Sequence, residues 1–346
     1  MSEWEAPASD IAVMTRVRLA RNFADVPFES VMSDDEAAHN ISRVAAAIEA
    51  AGRKEAFTLA RLADMTESEQ GRLADHYLIS RGLLKRPSRG AAFLSKGSTM
   101  SVMVNEEDHV RIFGMLPGLQ LERAADLACQ ADGWMDATGA YAYDSQFGFL
   151  TADPANAGPG MKATVIMHLP TMRAAGQIIR VHQELAKQKL SLKPWREEKG
   201  DVLGNLYQLT GTAVIGRTEE DMLGALNEAA EKIVAIERGV RQKIYEQDAL
   251  IIEDRVCRSL ALIRAAKLMS EREMMQRCSE LRTGAALGML DTSGDAVDRL
   301  MADMQNASIE CRSMEKMTER QRDALRAEAL REAVNALFGE PGNDMT

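Results

Sequence analysis

The stretch SVMVNEEDHVRI, residues 101–112, decides how the rest of the chain is interpreted, because it joins an apolar segment to an acidic turn. Residues 101–104 are apolar and partly β-branched, which predicts a short buried strand. Three successive carboxylates, Glu106, Glu107 and Asp108, follow it directly. Neighbouring carboxylates are costly unless they are solvated or paired with cations, and a carboxylate beside a guanidinium can orient it and accept its proton. Taken alone, the stretch is explained more simply by an acidic turn.

Two further segments contain residue types that bind phosphate. TRVRLARN, residues 15–22, places Arg16 and Arg18 on one face of a predicted strand because strand side chains alternate. Two guanidinium forks on one face can bind adjacent phosphates. In TADPANAGPGMKATVI, residues 151–166, glycines let a backbone approach phosphates closely, and Lys162 adds positive charge. Each segment by itself is explained more simply by a solvated strand face or a surface turn.

The last candidate site is RDALRA, residues 322–327. Arg322 and Arg326 are four residues apart, which puts both guanidiniums on one face of a predicted helix, and Asp323 can steer one of them. Such a pair can hold a phosphoryl group. A charged helix surface is the simpler explanation when the segment is considered alone.

The first part of the chain predicts a mixture of strands and helices. Residues 163–167 have the pattern of a second buried strand, and apolar residues at helical spacing between 121 and 135 predict a helix. Clusters of glycine, proline and charged residues predict loops at 153–160 and 193–204.

From about residue 218 onward the pattern is helical, and it ends in a charged helix at 318–338. Two pairs resemble capping boxes at helix starts, namely Thr218 with Asp221 and Ser270 with Glu273. The expected fold class is therefore α+β, with a helical C-terminal domain after a boundary near residue 240. We expect two domains, residues 9–240 and residues 241–346.

The composition excludes several classes of function. The chain has 346 residues, 46% of them hydrophobic, which suffices for two domains with buried cores. A net charge of −10 disfavours a general nucleic-acid or anionic-membrane binder. No apolar run reaches the roughly 18 residues that cross a membrane, and the acidic segment MSEWEAPASD lacks the apolar centre of a secretion signal. The four cysteines show no CxxC spacing, so no disulfide framework or metal site is expected. A cytoplasmic location is expected instead.

Together and in order, four segments resemble signature blocks of the ATP:guanidino phosphotransferase family, which includes creatine and arginine kinases. They are TRVRLARN, SVMVNEEDHVRI, FGFLTADPANAGPGMKATVIMHLP and GNLYQLTGTAVIGRTEED. The resemblance covers about residues 9–340, and NEEDH is its most specific part. Two features resemble the protein-arginine kinase branch. About ten residues precede the arginine block, where creatine and arginine kinases carry a helical domain that helps enclose a small substrate. RDALRA is similar to the RDxxRA motif with which that branch binds phosphoarginine.

The resemblance implies a catalytic domain built on an antiparallel β-sheet flanked by helices, followed by an all-helical domain. It implies ATP and Mg²⁺ as cofactors. It makes Glu107 the catalytic carboxylate, with Glu106 and Asp108 beside it and Glu198 as a second substrate-binding glutamate. The implied nucleotide contacts are Thr15, Arg16, Val17, Arg18, His76, Tyr77, Arg111, Lys162, Ala163, Thr164, Val165, Ile166, Lys193 and Arg196. The implied phosphoarginine-binding residues are Arg322, Asp323, Arg326 and Ala327.

The implied function is a protein-arginine kinase that transfers the ATP γ-phosphoryl group to arginine side chains of proteins. In the family this marks proteins for degradation by a Clp chaperone-protease in the stress response. The implied partners are proteins with an exposed arginine, phosphoarginine, an activator protein and the Clp machinery, and the implied assembly is a homodimer through the C-terminal helices.

Several departures from the family pattern support an alternative. Ala152 stands where the family has cysteine, and Pro159 removes a backbone donor from a Gly-Thr-Gly turn. Lys162 and Lys193 replace phosphate-binding arginines, which keeps the charge but loses the bidentate fork. Tyr77 replaces a family histidine, and KPWREE replaces a glycine-rich closing loop. The alternative is a catalytically weakened or inactive kinase that acts as a phosphoarginine-binding adaptor. A kinase for free arginine or another small guanidino compound is a third hypothesis, and the short N-terminal segment disfavours it.

Overall fold

The computed structural model describes residues 9–213, 216–313 and 316–339. Its strands are β1 (Ala12–Arg21), β2 (Phe57–Arg61), β3 (Ala91–Ser95), β4 (Met100–Val104), β5 (Val110–Pro117), β6 (Tyr143–Asp144), β7 (Gly148–Phe149), β8 (Met161–His168), β9 (Leu190–Pro194), β10 (Glu197–Glu198), β11 (Asp201–Val202) and β12 (Leu206–Thr212). Eight of them form one antiparallel sheet in the order β2-β3-β4-β5-β1-β8-β12-β9. The arginine-rich strand β1 therefore lies inside the sheet, paired with β5 and β8.

Helices flank the sheet and make up the C-terminal part of the chain. They are α1 (Asp34–Ala50), α2 (Glu67–Asp75), α3 (Leu121–Asp136), α4 (Pro170–Ala174), α5 (Ile178–Ala186), α6 (Glu219–Gln247), α7 (Ala249–Ala265), α8 (Glu271–Ala286), α9 (Gly294–Asp303), α10 (Asn306–Glu310) and α11 (Glu319–Phe338). Short 3₁₀ turns lie at Lys54–Ala56, Leu62–Asp64, Leu83–Lys85, Pro154–Asn156 and Leu203–Asn205. In the described part of the chain, no helix is both long enough and apolar enough to cross a membrane.

One face of the sheet carries the main apolar core. Alternation along the strands sends one set of side chains to this face, and they pack with α1, α3 and α6. The strand residues in this set include Val17, Leu19, Ile112, Val165 and Leu209. Gly114 lies on the same face, and a Cβ there would come within 1.9 Å of the Ala124 carbonyl oxygen. Helix α3 therefore sits directly on β5. The opposite face, which we call the polar face, carries charged residues between apolar ones such as Met103, Phe113 and Ile166.

A second apolar core joins the C-terminal helices to the sheet. It contains residues from α7, α8, α9 and α11, together with Val13, Ile166, Leu203 and Leu206 from the sheet and the turn before β12. Buried polar contacts cross the same boundary. The Ser279 hydroxyl on α8 lies 2.7 Å from His168 Nε2. The helical part is therefore packed against the body through both apolar and polar contacts.

Arg282 on α8 is a fully buried link across that boundary. Its Nε donates to Asp298 on α9 at 2.8 Å, and its two Nη groups donate to the carbonyl oxygens of Ser9 and Asp10 at 2.8 and 2.9 Å. One guanidinium thus satisfies a carboxylate and two backbone acceptors just before β1.

The fold class predicted from the sequence is confirmed, since an antiparallel sheet with flanking helices precedes a helical part. Thr218 and Ser270 accept hydrogen bonds from Asp221 N and Glu273 N, each at 3.1 Å, as N-caps of α6 and α8. The predicted loop at 193–204 contains a small hairpin, β10–β11, so that part of the prediction was wrong. The predicted domain boundary at 240–241 falls inside α6, and the division into two domains stays a prediction.

Replacing Arg282 with methionine should lower the free energy of unfolding by about 3–5 kcal/mol, because Asp298 and two buried carbonyls lose their donor. Urea denaturation of Arg282→Met and wild type measures this. Arg255→Met, at an exposed site on α7, is the matched control and should change stability by no more than about 0.5 kcal/mol. Equal losses in the two variants would show that the buried link adds nothing.

Stability should also fall below pH 6.5 because of His168. Burial holds the pKa of this ring well below its usual value. His168 therefore binds a proton below about pH 6.5 in the unfolded chain but stays neutral in the folded chain. The free energy of unfolding drops by about 1.4 kcal/mol per pH unit as the pH falls further. Denaturation curves measured between pH 7.5 and 5.5 give the free energy of unfolding at each pH. This free energy should depend less on pH in His168→Gln than in wild type. The exposed control His39→Gln should keep the wild-type slope, and an unchanged slope in His168→Gln would count against the prediction.

Candidate active site

Basic side chains line the polar face of the sheet. Arg16 and Arg18 alternate with the core residues of β1, so both point away from the apolar core. Arg18 lies opposite Lys162 on β8, and Ala20, on the same face as Arg18, lies opposite Arg111 on β5. The pairing of β12 with β8 and β9 puts Lys193 on this face too. We call these five residues, Arg16, Arg18, Arg111, Lys162 and Lys193, the cationic face.

The charges of the cationic face oppose one another. Burial, followed by repulsion from Arg18, Arg16, Arg111 and Lys193, lowers the pKa of Lys162. Burial is also the main cause that lowers the pKa of Arg16 and of Arg18 to about 10. In the described part of the chain, no carboxylate forms an ion pair with Arg16, Arg18, Lys162 or Lys193.

One donor of this face has no acceptor. Arg18 Nη2 donates to the Asn156 side chain at 3.1 Å, but its Nε is buried and finds no hydrogen-bond partner in residues 9–213, 216–313 and 316–339. A buried donor of this kind requires an acceptor. Converging cations and an unpaired N–H fit a polyphosphate, which supplies both negative charge and acceptor oxygens.

The NEEDH turn is held by buried hydrogen bonds on both sides of its carboxylates. Asn105 adopts a left-handed conformation, with φ 60°, and its side-chain amide donates to the carbonyls of Ala37 and Arg89 at 2.9 and 3.0 Å. His109 Nδ1 lies 3.0 Å from the Phe23 backbone N–H, and its Nε2 lies 2.8 Å from a carbonyl oxygen. This pattern requires a neutral ring that accepts at Nδ1, and burial lowers the pKa of His109 accordingly. The turn is therefore fixed before any substrate binds.

The three carboxylates of the turn differ in access to solvent. The side chains of Glu106 and Asp108 are 6% and 0% exposed, whereas that of Glu107 is 48% exposed. Arg111 contacts all three. Burial alone would lower the pKa of Arg111, but these carboxylates together raise it. Of the three, Glu107 is the one that an incoming group can reach.

The two buried carboxylates hold neighbouring loops in place. Asp108 accepts hydrogen bonds at 2.9 Å from the Asn22 side chain and from the backbone N–H of Ala152. Glu106 accepts a hydrogen bond from the Ser80 hydroxyl at 2.8 Å. The backbone of Ala152 thus lies beside the acidic turn.

Arg21 and Asn22 belong to the site, although the sequence reasoning gave them no role. Arg21 pairs with Asp132 at 2.8 Å, donates to the Pro159 carbonyl at 3.0 Å and lies 3.6 Å from the centre of the Phe149 ring. Asn22 accepts from His109 N at 2.9 Å and donates to Asp108. Both residues lie in the same TRVRLARN block as Arg16 and Arg18, and that membership was the available signal.

The glycine-rich loop is packed tightly against β1. Gly160 has φ 68°, and a Cβ there would lie 2.7 Å from Arg21 Nη1 and 2.8 Å from the Ala20 carbonyl oxygen. Only glycine fits this position without displacing its neighbours. The loop is therefore held at the edge of the cationic face by its own backbone and by Arg21.

Residues 193–198, which we call the closing segment, lie beside Arg16. The Trp195 ring is 5.4 Å from the Tyr77 ring and 5.7 Å from the Arg16 guanidinium. Arg196 pairs with Glu271 on α8 at 2.7 Å. Glu198 is exposed on strand β10. A cleft of about 250 Å³ opens between this segment and the end of α2; its lining includes Arg16, Asp75, Tyr77, Ser80, Trp195 and Arg196.

Some residues predicted to contact the nucleotide do not point a side chain toward the cationic face. His76 Nε2 instead lies 3.3 Å from Asp303 on α9. Thr164 and Ile166 share the polar side of β8, although Ile166 packs into the second core. The residues on the core side, which could offer only backbone atoms, are Thr15, Val17, Ala163 and Val165.

The RDALRA motif lies on α11, in the helical part. Arg326 is fully buried, and it donates to the carbonyls of Met304 and Met269 at 2.8 and 2.7 Å and to the Asp323 carboxylate at 2.7 Å. Arg322 pairs with Glu310 at 2.7 Å. Its Nε is buried and has no hydrogen-bond partner among the described residues, and Ala327 is fully buried. The motif therefore holds the helical part together.

Comparisons with known proteins agree with this arrangement. The ATP:guanido phosphotransferase C-terminal catalytic domain matches residues 39–240, and the protein-arginine kinase McsB C-terminal domain matches residues 249–343. The protein-arginine kinase of Caldanaerobacter subterraneus subsp. tengcongensis is 33% identical over 328 residues, which are 94% of this chain and 97% of that protein. That of Geobacillus stearothermophilus is 32% identical over 344 residues, 96% of this chain and 94% of that protein. The chain belongs to the protein-arginine kinase branch of the ATP:guanido phosphotransferase family.

Solved structures of guanidino kinases share the fold. The duplicated taurocyamine kinase from Schistosoma mansoni with bound transition-state-analogue components superposes with a TM-score of 0.60 and 20% identity, over 68% of this chain and 34% of that one. Lombricine kinase gives a TM-score of 0.57 and 20% identity, over 69% of this chain and 72% of that one. The predicted family, and with it an ATP-dependent kinase of a guanidino group, is confirmed.

Magnesium would enter the site with the nucleotide. Among the described residues, no group of three or more His, Cys, Asp or Glu side chains is arranged to hold a metal ion. Mg²⁺ commonly keeps several waters and binds through substrate phosphates and one or two carboxylates. The half-exposed Glu107 beside the cationic face fits that mode of binding.

Lys162→Met should weaken Mg-ATP binding at least tenfold, because a charge-assisted hydrogen bond contributes about 1.5–3 kcal/mol. Lys162→Arg should keep or strengthen binding, since it restores a bidentate fork. Calorimetric titration measures both, and the exposed Lys187→Met is the control. Unchanged affinity in Lys162→Met would place the nucleotide away from the cationic face.

Proposed function

We propose that the protein transfers the γ-phosphoryl group of ATP to arginine side chains of proteins. The observation that carries this proposal is the position of Glu107, a half-exposed carboxylate beside Arg111 and next to the buried, mutually repelling cations Arg18 and Lys162. A guanidinium acceptor needs the carboxylate, and a nucleotide polyphosphate needs the cations. Relatives named protein-arginine kinase, at 32–34% identity over nearly the whole chain, support arginine in a protein as the acceptor.

The acceptor must lose a proton before it can react. A guanidinium has a pKa of about 12.5–13.8 and is a poor nucleophile while protonated. In the proposed reaction Glu107 takes an N–H proton as the nitrogen lone pair forms a bond to the γ-phosphorus. The bond from this phosphorus to the β-phosphate oxygen breaks, and ADP leaves with that electron pair. Glu198 is the proposed second carboxylate on the acceptor.

The cationic face stabilises the charge that develops during transfer. Positioning and electrostatic stabilisation supply most of the catalysis in phosphoryl transfer. Arg16, Arg18 and Lys162 are fixed on paired strands, so they need no reorganisation when the phosphates arrive. Bound magnesium would add positive charge on the phosphate oxygens.

Arg111 connects the two halves of this chemistry. Its guanidinium now lies on Glu106, Glu107 and Asp108. An arriving substrate guanidinium can replace Arg111 at Glu107, and the repelled Arg111 then turns toward phosphate. Glu106 and Asp108 contact Nη1 and Nε of the same guanidinium, so they restrict this movement to a small rotation.

Further parts of the proposal rest on the family resemblance. Phosphorylation would mark proteins for Clp degradation in the stress response, in the cytoplasm, with an activator protein and a homodimeric assembly. Phosphoarginine would bind at RDALRA, where the buried Nε of Arg322 has no partner among the described residues and where Asp323, Arg326 and Ala327 form the surroundings.

The second candidate function is a phosphoarginine-binding adaptor with little kinase activity. It is favoured by the departures around the nucleotide, namely Ala152, Pro159, Lys162 and Lys193. Phosphoarginine binding by a wild-type protein that transfers no phosphate from ATP would establish it in place of the kinase.

Glu107→Gln should abolish phosphorylation of an arginine-rich protein, because an amide cannot accept the guanidinium proton. General-base catalysis contributes about 10²–10⁴-fold, so the loss should reach at least two orders of magnitude. Incubation with Mg-ATP and detection of acid-labile protein phosphate measures it. Glu122→Gln, at an exposed position on α3, should behave as wild type. Near-normal transfer by Glu107→Gln would remove Glu107 from the reaction.

A further inference from the structure

Arg196 fastens the closing segment to the helical part. Its Nη2 lies 2.7 Å from Glu271 Oε1, and its Nη1 donates to Gln305 Oε1, 109 residues away in sequence. Glu271 is in the first turn of α8, and Gln305 directly precedes α10. Both partners are buried, at 9% and 2% exposure, so solvent screens these contacts weakly.

The two anchors are themselves held by one buried guanidinium. Arg326 donates to the Met269 carbonyl, two residues before Glu271, and to the Met304 carbonyl, one residue before Gln305. It also contacts the Asn306 side chain. These bonds fix the distance between the two backbone segments that carry Glu271 and Gln305, the residues that contact Arg196.

On its other side, the closing segment faces the candidate nucleotide site. Trp195 packs against Tyr77 and Arg16. The Arg196 carbonyl accepts from Leu203 N at 3.0 Å, which closes the small hairpin that carries Glu198. Arg196 is thus a fixed point between an aromatic ring beside the cationic face and the carboxylate proposed to bind the acceptor.

We propose that Glu271 and Gln305 are positioning residues for phosphoryl transfer, and that they act through Arg196 on the closing segment. Arg196 then serves as an anchor and not as a phosphate ligand. This inference rests on the proposed function, because the nucleotide is the ligand that the segment would cover. The helical part becomes a component of the active site, although it contributes no group to the reaction itself.

Substitutions at both ends of the contact separate an anchor from a ligand. Glu271→Gln keeps the shape of the side chain but removes its charge, and Arg196→Glu places like charges together. Each breaks the ion pair between Arg196 and Glu271, and each should raise the KM for Mg-ATP about tenfold. The double variant Arg196→Glu/Glu271→Arg restores an opposite pair, and the Gln305 amide can donate where it formerly accepted. It should recover most of the affinity, with a coupling of about tenfold in a double-mutant cycle.

The matched control is Glu328→Gln, the same substitution at an exposed position on α11, and it should leave KM and kcat unchanged. Recovery in the double variant supports the anchor. A double variant no better than Arg196→Glu alone would show that Arg196 itself binds the nucleotide, and the inference would be wrong. It would also be wrong if Glu271→Gln lowered the urea midpoint and left KM unchanged, because its role would then be structural only.

A second measurement separates this inference from the proposed function. In a chain with Trp4→Phe and Trp134→Phe, the fluorescence of Trp195 reports the closing segment during titration with Mg-ADP, without any phosphoryl transfer. Weaker ADP binding in Glu271→Gln, with recovery in the reversed pair, would support the anchor even if the wild type transferred no phosphate. Equal ADP affinity in all these variants would overturn it even if the kinase were active.

Discussion

Repulsion between like charges is the constraint that shapes this site. Strand alternation places Arg16 and Arg18 on one face, and the register of β8 adds Lys162 directly opposite. Water cannot fully screen them, since burial already lowers the pKa values of all three. The sheet resists separating these cations because its other face is a packed core. The three cations therefore repel one another in the free protein, and a bound anion of several charges relieves that repulsion.

Like-charge repulsion also acts in the acidic turn, here between negative groups. Three adjacent carboxylates would repel one another, and Arg111 is the counter-ion that lets two of them be buried. Asp108 then uses its remaining oxygen to hold Asn22 and Ala152. Each charged group thus fixes the position of a neighbour, and the half-exposed Glu107 is left with the greatest freedom. Precise placement comes from the buried members and reactivity from the accessible one.

The sequence predicted the parts of this site that depend on local pattern. Alternation in β1 put Arg16 and Arg18 together, and the N-caps at Thr218 and Ser270 follow from single turns of helix. The family resemblance supplied the fold and the ATP-dependent kinase. The hairpin within 193–204 was missed because its pairing is held by contacts with α8, such as the pair between Arg272 and Asp201.

Side-chain direction was the other limit of sequence reasoning. Spacing on a helix put Arg322 and Arg326 on one face, but it could not show that Arg326 is buried among carbonyl groups. In the same way, nothing local to Arg196 indicates that its partners lie in α8 and beside α10. Such contacts depend on packing between distant segments, which periodicity does not encode.

Helix α6 has a consequence for how this architecture can be divided or recombined. It runs unbroken for 29 residues, about 43 Å at 1.5 Å per residue, and its first half belongs to the sheet core. Ile244 and Tyr245, near its end, pack against the second core. The helical part is consequently not an interchangeable module. A chimaera with a foreign C-terminal half would have to match helix α6, the apolar residues of the second core and the acceptors of Arg282 at the same time. In such a lineage the two halves are expected to change together, each substitution in the second core restricting what the other half can accept.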